Sequence, residues 1–255
     1  MSEVSRGDAC GADGCGTVGD HTRVTGAATG DGPLVLDVVS DTICPWCYVG
    51  KRRVERAAAT LRAEGVRVAL RWRPFELNPE MPQEGMDRRA YRSRKFGNWA
   101  RSLELDRQVA EAAAVDGIAF RHDLMTRTPN TFASHRLVWL AGRAGVQNDV
   151  VEALFRAYFV EGRDVGRADV LAEIGDSCGI GKERVHTLLA GDEGAREVRE
   201  EEAAARRLGI RGVPTVFVGG EPLFSGAQPP GRIAELLRRV SSDAAAARGG
   251  SDAKA

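Results

Sequence analysis

The feature that most constrains this chain is a pair of cysteines, Cys44 and Cys47, placed where a strand pattern gives way to a helix pattern. Residues 34–39 form a short β-branched run suited to a buried strand. From Cys44 to Leu61 apolar residues recur three and four positions apart, which predicts a helix. Over residues 66–72 apolar and polar residues alternate, which predicts a second strand with one buried face. This order is typical of the opening unit of an α/β sheet.

Farther along the chain, the β pattern disappears and later returns. From about residue 85 to 191 the apolar residues follow helical spacing, which predicts a helical insertion of about one hundred residues. A strand pattern returns at 215–218, and a Gly219-Gly220 turn separates it from a short strand at 222–224, which indicates a hairpin. A last helix is expected from Pro230 onwards. The sequence therefore predicts an α/β sheet divided by helices.

Composition limits the classes of partner and the cellular compartment. Lys+Arg and Asp+Glu both number 36, so a net charge of zero offers no basic face for nucleic acid or for an anionic membrane. No apolar run approaches the ~20 residues of a membrane helix. Residues 1–33 lack the apolar core of a secretory signal, so we expect a cytoplasmic protein. In a reducing compartment, paired cysteines are catalytic or metal-binding more often than structural.

The spacing of Cys44-Pro45-Trp46-Cys47 suits thiol–disulfide chemistry. Residues three apart in a helical turn have Cβ atoms ~5–6 Å apart, so a modest adjustment permits a disulfide. A cysteine at a helix N-terminus faces unpaired N–H groups and partial positive charge, which favour the attacking thiolate. Pro45 fits the first helical position because no N–H is needed there. We therefore expect Cys44 to be an exposed nucleophile and Cys47 a covered resolving thiol.

Other interpretations of these residues stay open from the residues alone. In one alternative, Cys44 and Cys47 supply two ligands of a zinc site, and Cys10 and Cys15 supply the other two. In another, Cys44 and Cys47 are a purely structural pair. Pro214 is expected at the first position of its strand, where a missing N–H costs no ladder bond. The pattern does not predict a cis bond there, since only ~5–6% of such bonds are cis.

Further stretches accompany the cysteine motif in order along the chain. These are Arg73 to Pro79, Asn130 to Arg136, Gly209 to Phe217, and Ser225 to Gln228. Together with the cysteine motif they resemble the DsbA-like thioredoxin-fold oxidoreductases, specifically the FrnE-type branch, from residue 34 to about 240. The resemblance implies an α/β thioredoxin fold with a large all-helical insertion. The expected division is a disordered tail at 1–33, a first thioredoxin half at 34–84, the insertion at 85–191, a second half at 192–242 and a disordered tail at 243–255.

The resemblance also implies roles for particular residues. Val213-Pro214 would be a cis pair beside the cysteines, where its backbone receives substrate, with Pro45 and Trp46 also lining that place. The implied activity is exchange of a Cys44–Cys47 dithiol or disulfide with protein or small-molecule thiols, with no metal or organic cofactor and with glutathione as a candidate co-substrate. A related branch, the 2-hydroxychromene-2-carboxylate isomerases and kappa-class glutathione transferases, typically has serine at the first cysteine position. Such a glutathione-dependent isomerase or transferase is the alternative function.

Several other residues are candidates for auxiliary roles. His135 would transfer a proton to a leaving thiolate, although a lone helical histidine is more often a packing residue. Cys10 and Cys15 lie on a glycine-rich segment that would tether a second pair of thiols near the motif. Cys178 is expected to be a small buried apolar residue, and His122 a surface residue.

Overall fold

The computed structural model describes residues 32–249, with side chains described through residue 243. Its strands are β1 (Leu34–Ser40), β2 (Val68–Pro74), β3 (Met86–Asp87), β4 (Arg127–Thr128), β5 (Thr215–Val218) and β6 (Glu221–Ser225). Its helices are α1 (Pro45–Ala63), α2 (Arg88–Phe96), α3 (Trp99–Val115), α4 (Phe132–Ala144), α5 (Gln147–Phe159), α6 (Ala168–Ser177), α7 (Lys182–Ala190), α8 (Ala195–Arg207) and α9 (Pro230–Gly249). Among these helices, none combines the length and apolar character needed to span a bilayer.

The main sheet has the strand order β2-β1-β5-β6. β1 and β2 run parallel and are joined by α1, which confirms the strand–helix–strand unit expected from the sequence. β5 pairs antiparallel with β1 on one side and with β6 on the other, so the expected hairpin is also present. Gly219 and Gly220 form its turn with φ angles of 59° and 88°, a region that L side chains rarely adopt. The predicted α/β fold class is correct.

The insertion expected at 85–191 contains helices α2 to α7, together with one short β ladder, and α8 lies between it and β5. β3 and β4 pair antiparallel, with Met86 opposite Thr128 and Asp87 opposite Arg127. The expectation of an all-helical insertion is therefore wrong in this detail, because two-residue strands are too short to show an alternating pattern. The helical stripes expected at 101–115, 130–144, 148–160 and 168–177 correspond to α3, α4, α5 and α6.

Both ends of the chain extend beyond what the structure describes. Of the tail expected at 1–33, residues 1–31 lie outside the described residues, and they include Cys10 and Cys15. At the other end α9 continues to Gly249, past residue 243, where the sequence was expected to become a tail. The alanine-rich composition of this segment favours continued helix, since alanine has the highest helix propensity.

An aromatic core joins the insertion to the sheet. Phe155 of α5 stacks on Tyr48 of α1, with ring centroids 5.0 Å apart, and meets the edge of Trp72 of β2 at 6.4 Å. Phe159, one turn farther along α5, lies 6.2 Å from the same Tyr48 ring. The thioredoxin-like sheet and the insertion therefore share one core. This packing fixes the start of α1 relative to the helices of the insertion.

Candidate active site

The cysteine motif begins helix α1. Cys44 is the N-cap residue, with extended backbone angles of φ −89° and ψ 114°, and Pro45 occupies the first turn. The N–H of Cys44 donates to the Asp41 carbonyl at 3.1 Å, and the N–H of Cys47 donates to the Cys44 carbonyl at 3.0 Å. The first thiol therefore stands at the end of the helix where N–H groups are unpaired. This position agrees with the one expected from the sequence.

Both cysteines are buried and carry free thiols. Cys47 is 0% exposed, whereas Cys44 is 5% exposed. The expectation of an exposed Cys44 is therefore wrong, because the segment before β5 packs over it and places the Val213 carbonyl 3.6 Å from its Sγ. Burial, followed by the hydrogen bond and charge of Cys44, raises the pKa of Cys47 well above its usual range, while Ser40 and the Asp41 backbone oppose this rise. Cys47 is thus a thiol that burial keeps protonated and out of contact with solvent.

The Val213-Pro214 peptide bond is cis, as the family resemblance implied. The carbonyl of Pro214 accepts the Gly226 N–H at 2.8 Å, which ties the segment before β5 to the end of β6. On its other side the Pro214 ring packs so closely on Gly50 of α1 that a Cβ at that glycine would lie 2.9 Å from Pro214 Cγ. A glycine one turn beyond the motif therefore allows this segment to reach Cys44.

A small cationic cavity of about 90 Å³ adjoins Pro45. Arg88 and Arg92 of α2 both bind the Asp106 carboxylate, at 2.6 and 2.7 Å. Lys95, one turn farther along α2, donates to the Tyr91 hydroxyl at 2.8 Å and to the side-chain oxygen of Asn78 at 3.0 Å. Two arginines thus share a single aspartate at the edge of the redox motif, and Lys95 lines the same cavity. Sequence reasoning missed them, because nothing local marks α2 as a neighbour of the motif.

His122 lines the same cavity. Its Nε2 lies 3.9 Å from the Asp106 carboxylate, and its side chain is largely buried, so the expectation of a surface residue is wrong. Burial lowers the pKa of His122 below its ordinary value, and Asp106 only partly offsets that effect. At neutral pH the imidazole is therefore uncharged, and the cavity's positive charge comes from its arginines and Lys95.

His135 lies on α4 behind the loop that precedes Cys44. Its Nε2 is 3.6 Å from Oδ1 of Asp41, and both side chains are buried. The insertion thus brings His135 close to the motif, although it contacts the preceding loop and not a cysteine. Sequence reasoning gave Asp41 no role, and its complete burial is the structural sign that it matters.

Cys178 is the third cysteine that the structure describes. Cys178 is the C-cap of α6 and is only half-buried, so it is not the fully buried residue that was expected. Burial raises its pKa, and its sulfur lies 3.8 Å from the Ser177 hydroxyl. Cys10 and Cys15 lie outside the described residues. Among residues 32–249 no group of three or more His, Cys, Asp or Glu side chains could hold a metal ion.

Comparisons with known proteins agree with this geometry. A probable DsbA oxidoreductase from Streptomyces coelicolor is 31% identical in sequence, with a TM-score of 0.73 over 82% of this chain and 90% of that one. The fold is shared with the cytosolic disulfide reductase DsbM from Pseudomonas aeruginosa, at 21% identity and a TM-score of 0.59, over 82% of this chain and 99% of that one. An uncharacterized protein of Bacillus subtilis strain 168, YwbO, is 26% identical over 75% of this chain and 90% of its own length.

The model of one protein family matches residues 35–238, which include both cysteines, the cis-proline segment and the whole insertion. That span is most of the 255-residue chain. The chain belongs to the DSBA-like thioredoxin domain family.

Proposed function

We propose that this protein is a thiol–disulfide oxidoreductase in which Cys44 and Cys47 exchange electrons with protein or small-molecule thiols. The observation that carries the proposal is the pairing of two free thiols at the start of α1, with the Val213 carbonyl 3.6 Å from the first sulfur. An extended substrate segment beside Val213 would bring its own sulfur to Cys44. Membership of a family with a thioredoxin domain supports the same reaction.

The reaction needs only the two cysteines and the substrate. The Cys44 thiolate attacks one sulfur of a substrate disulfide, a mixed disulfide forms, and the other substrate sulfur leaves as a thiolate. Cys47 then loses its proton and attacks the Cys44 sulfur, which releases the second substrate thiolate. Two electrons have passed to the substrate, and a Cys44–Cys47 disulfide remains. The reverse sequence oxidises a substrate dithiol.

The two thiols differ in a way that suits this order of events. The raised pKa of Cys47 keeps it protonated while Cys44 reacts first. Its complete burial also prevents external thiols from reaching it before the mixed disulfide has formed. No metal or organic cofactor is required by this chemistry. Glutathione is a suitable small-molecule co-substrate, and a reducing cytoplasm is the compartment in which we expect the protein to work.

Trapping of intermediates tests the assignment of the two thiols. Cys47→Ser is expected to accumulate mixed disulfides with a model disulfide substrate, because the resolving step is missing. Cys44→Ser is expected to form none, and Cys178→Ser serves as the control because that thiol lies at the end of α6 and not in the motif. Equal trapping by both active-site variants, or equal alkylation of the two thiols in the wild type, would contradict the proposal.

The same variants separate this function from the glutathione-dependent isomerase or transferase. In that alternative the second thiol has no chemical task, so Cys47→Ser would retain full turnover. Metal analysis of the full chain tests the zinc-binding alternative, whose other ligands, Cys10 and Cys15, lie outside the described residues. The reduction potential measured against glutathione then establishes the direction of electron flow.

A further inference from the structure

A buried histidine and three carboxylates lie together behind the redox motif. Asp41 is 0% exposed, His135 3%, Glu76 5% and Glu202 8%. They come from four separate elements: the loop after β1, helix α4, the segment after β2, and helix α8. Ionisable groups are rarely buried unless they are paired or hydrogen-bonded. The cluster therefore requires an explanation beyond packing.

Asp41 is held as a fixed hydrogen-bond acceptor next to the nucleophile. Its Oδ2 accepts the Leu77 N–H at 2.7 Å, and its Oδ1 accepts the N–H of Ile43, the residue before Cys44, at 3.3 Å. The negative charge of this carboxylate thus stands three residues before the thiol that must become a thiolate. Unless it is balanced, that charge disfavours the thiolate.

His135 is one of two cations that can balance Asp41; the other, Lys95 of α2, is also acted on by the charge of Cys44. Its Nε2 lies 3.6 Å from Asp41 Oδ1, within the range of an ion pair but longer than a hydrogen bond. This nitrogen is buried and makes no hydrogen bond within the described part of the chain. Burial by itself lowers the pKa of His135, but the charges of Asp41, Glu76 and Glu202 outweigh it and raise the pKa above its ordinary value.

The other charged groups around the pair are committed to different partners. Arg206 of α8 donates to Glu202 at 2.7 Å and to the Glu76 carbonyl at 2.8 Å. Arg136, beside His135 on α4, donates to backbone carbonyls of the α7–α8 connection. Arg73 of β2 binds carboxylates on β1 and α8. On the side of α2, the charge of Asp41 acts on Tyr91 and Lys95, and on the side of α5 it acts on Tyr158.

We propose that Asp41 and His135 form a proton-responsive ion pair that sets the thiolate population of Cys44. Protonated His135 cancels the Asp41 charge, so the thiolate forms readily. Loss of that proton removes this compensation, so the thiolate forms less readily. Both are positioning residues, since they act on the thiol through its electrostatic surroundings. The inference concerns the reactivity of the Cys44 thiol, and its biological meaning rests on the proposed function.

A groove open to solvent borders His135. It has a volume of about 550 Å³ and runs beside β2. Glu76 and Glu202 line a second groove of about 640 Å³. The imidazole can therefore exchange its proton with solvent while the redox motif stays covered. Its protonation state would follow the pH of the surroundings.

Two nearly isosteric variants test the proposal because they move the charge in opposite directions. Alkylation of Cys44 in the full-length reduced protein is followed across the pH range by peptide-resolved mass spectrometry. His135→Gln is expected to shift the midpoint of the alkylation profile up by about one pH unit, which lowers the rate below that midpoint about tenfold. Asp41→Asn is expected to shift the midpoint down by a smaller amount, because the loss of Asp41 also lowers the pKa of His135.

The double variant and a surface control complete the experiment. His135→Gln combined with Asp41→Asn is expected to return the midpoint towards that of the wild type. His186→Gln, on the exposed face of α7, is expected to leave it unchanged. Shifts of the same sign in both single variants, or no shift in either, would overturn the proposal. A general loss of packing around Cys44 would shift the alkylation midpoint of both variants in the same direction. Alkylation needs no disulfide substrate, so failure of the proposed exchange reaction would show separately in the trapping experiment.

Discussion

Replacing Glu76 by glutamine is expected to stabilise the protein increasingly as the pH rises. Burial, and then the charge of Glu202, raise the pKa of Glu76 from 4.5 to about 7, although His135 acts in the opposite direction. Folding therefore shifts the protonation equilibrium of a carboxyl group that is only 5% exposed. The native state holds this proton at pH values where the unfolded chain has already released it.

The sign and the size follow from proton linkage. Between about pH 4.5 and pH 7 the native state binds more protons at Glu76 than the unfolded state, so the wild type loses stability as the pH rises through this window. Each pKa unit corresponds to about 1.4 kcal/mol, so the difference from 4.5 to about 7 amounts to about 3 kcal/mol at most. Glutamine has a similar shape and no charge, so the free energy of unfolding of Glu76→Gln should not fall in this way as the pH rises.

Urea denaturation of the reduced protein at several pH values measures the effect. The free energy of unfolding of Glu76→Gln, relative to wild type, should change little near pH 5 and rise by about 3 kcal/mol by pH 8. Glu80→Gln is the matched control, since Glu80 is an exposed carboxylate four residues away. A stability difference that is independent of pH, or one equal to that of Glu80→Gln, would refute the reasoning.

Two further predictions concern glycines that allow close approaches. Gly50→Ala would place a Cβ 2.9 Å from Pro214 Cγ, so we expect disulfide exchange to slow by about tenfold while circular dichroism stays native, and an unchanged exchange rate would contradict this. Gly175→Ala in α6 would place a Cβ 2.5 Å from Val185 Cγ2, and overpacking of this kind costs about 1–3 kcal/mol in urea denaturation. Gly231→Ala in α9, whose Cβ would meet nothing within 4 Å, is the control expected to lose no stability.

Several properties of this protein follow from the sequence through local physical rules. The apolar spacing after Cys44 predicts α1, and the alternation at residues 66–72 predicts β2, because burial of one face imposes a period on the chain. The position of Cys44 at the helix start is equally local, since Pro45 and the polar residues Asp41 and Thr42 of the preceding loop mark the boundary. Family motifs then implied the cis bond at Pro214, which the local pattern alone did not predict.

The two-residue strands β3 and β4 show where local rules end. Their ladder joins segments about forty residues apart, and neither segment is long enough to carry an alternating pattern. The cationic side chains of α2 are a similar case, because a helical stripe shows which face is buried and not which element covers it.

What only the tertiary structure decided is which groups meet at the redox motif. The carbonyl of Val213 reaches Cys44 across 169 positions of sequence, and this approach buries a thiol that helix-end chemistry alone would leave exposed. Asp41 and His135 meet because α4 packs behind the loop after β1. Buried charged residues break the hydrophobic pattern from which burial is inferred, so no period in the sequence marks them. Their pairing depends on packing between elements far apart in the chain, and that packing also determines which charges act on the thiol.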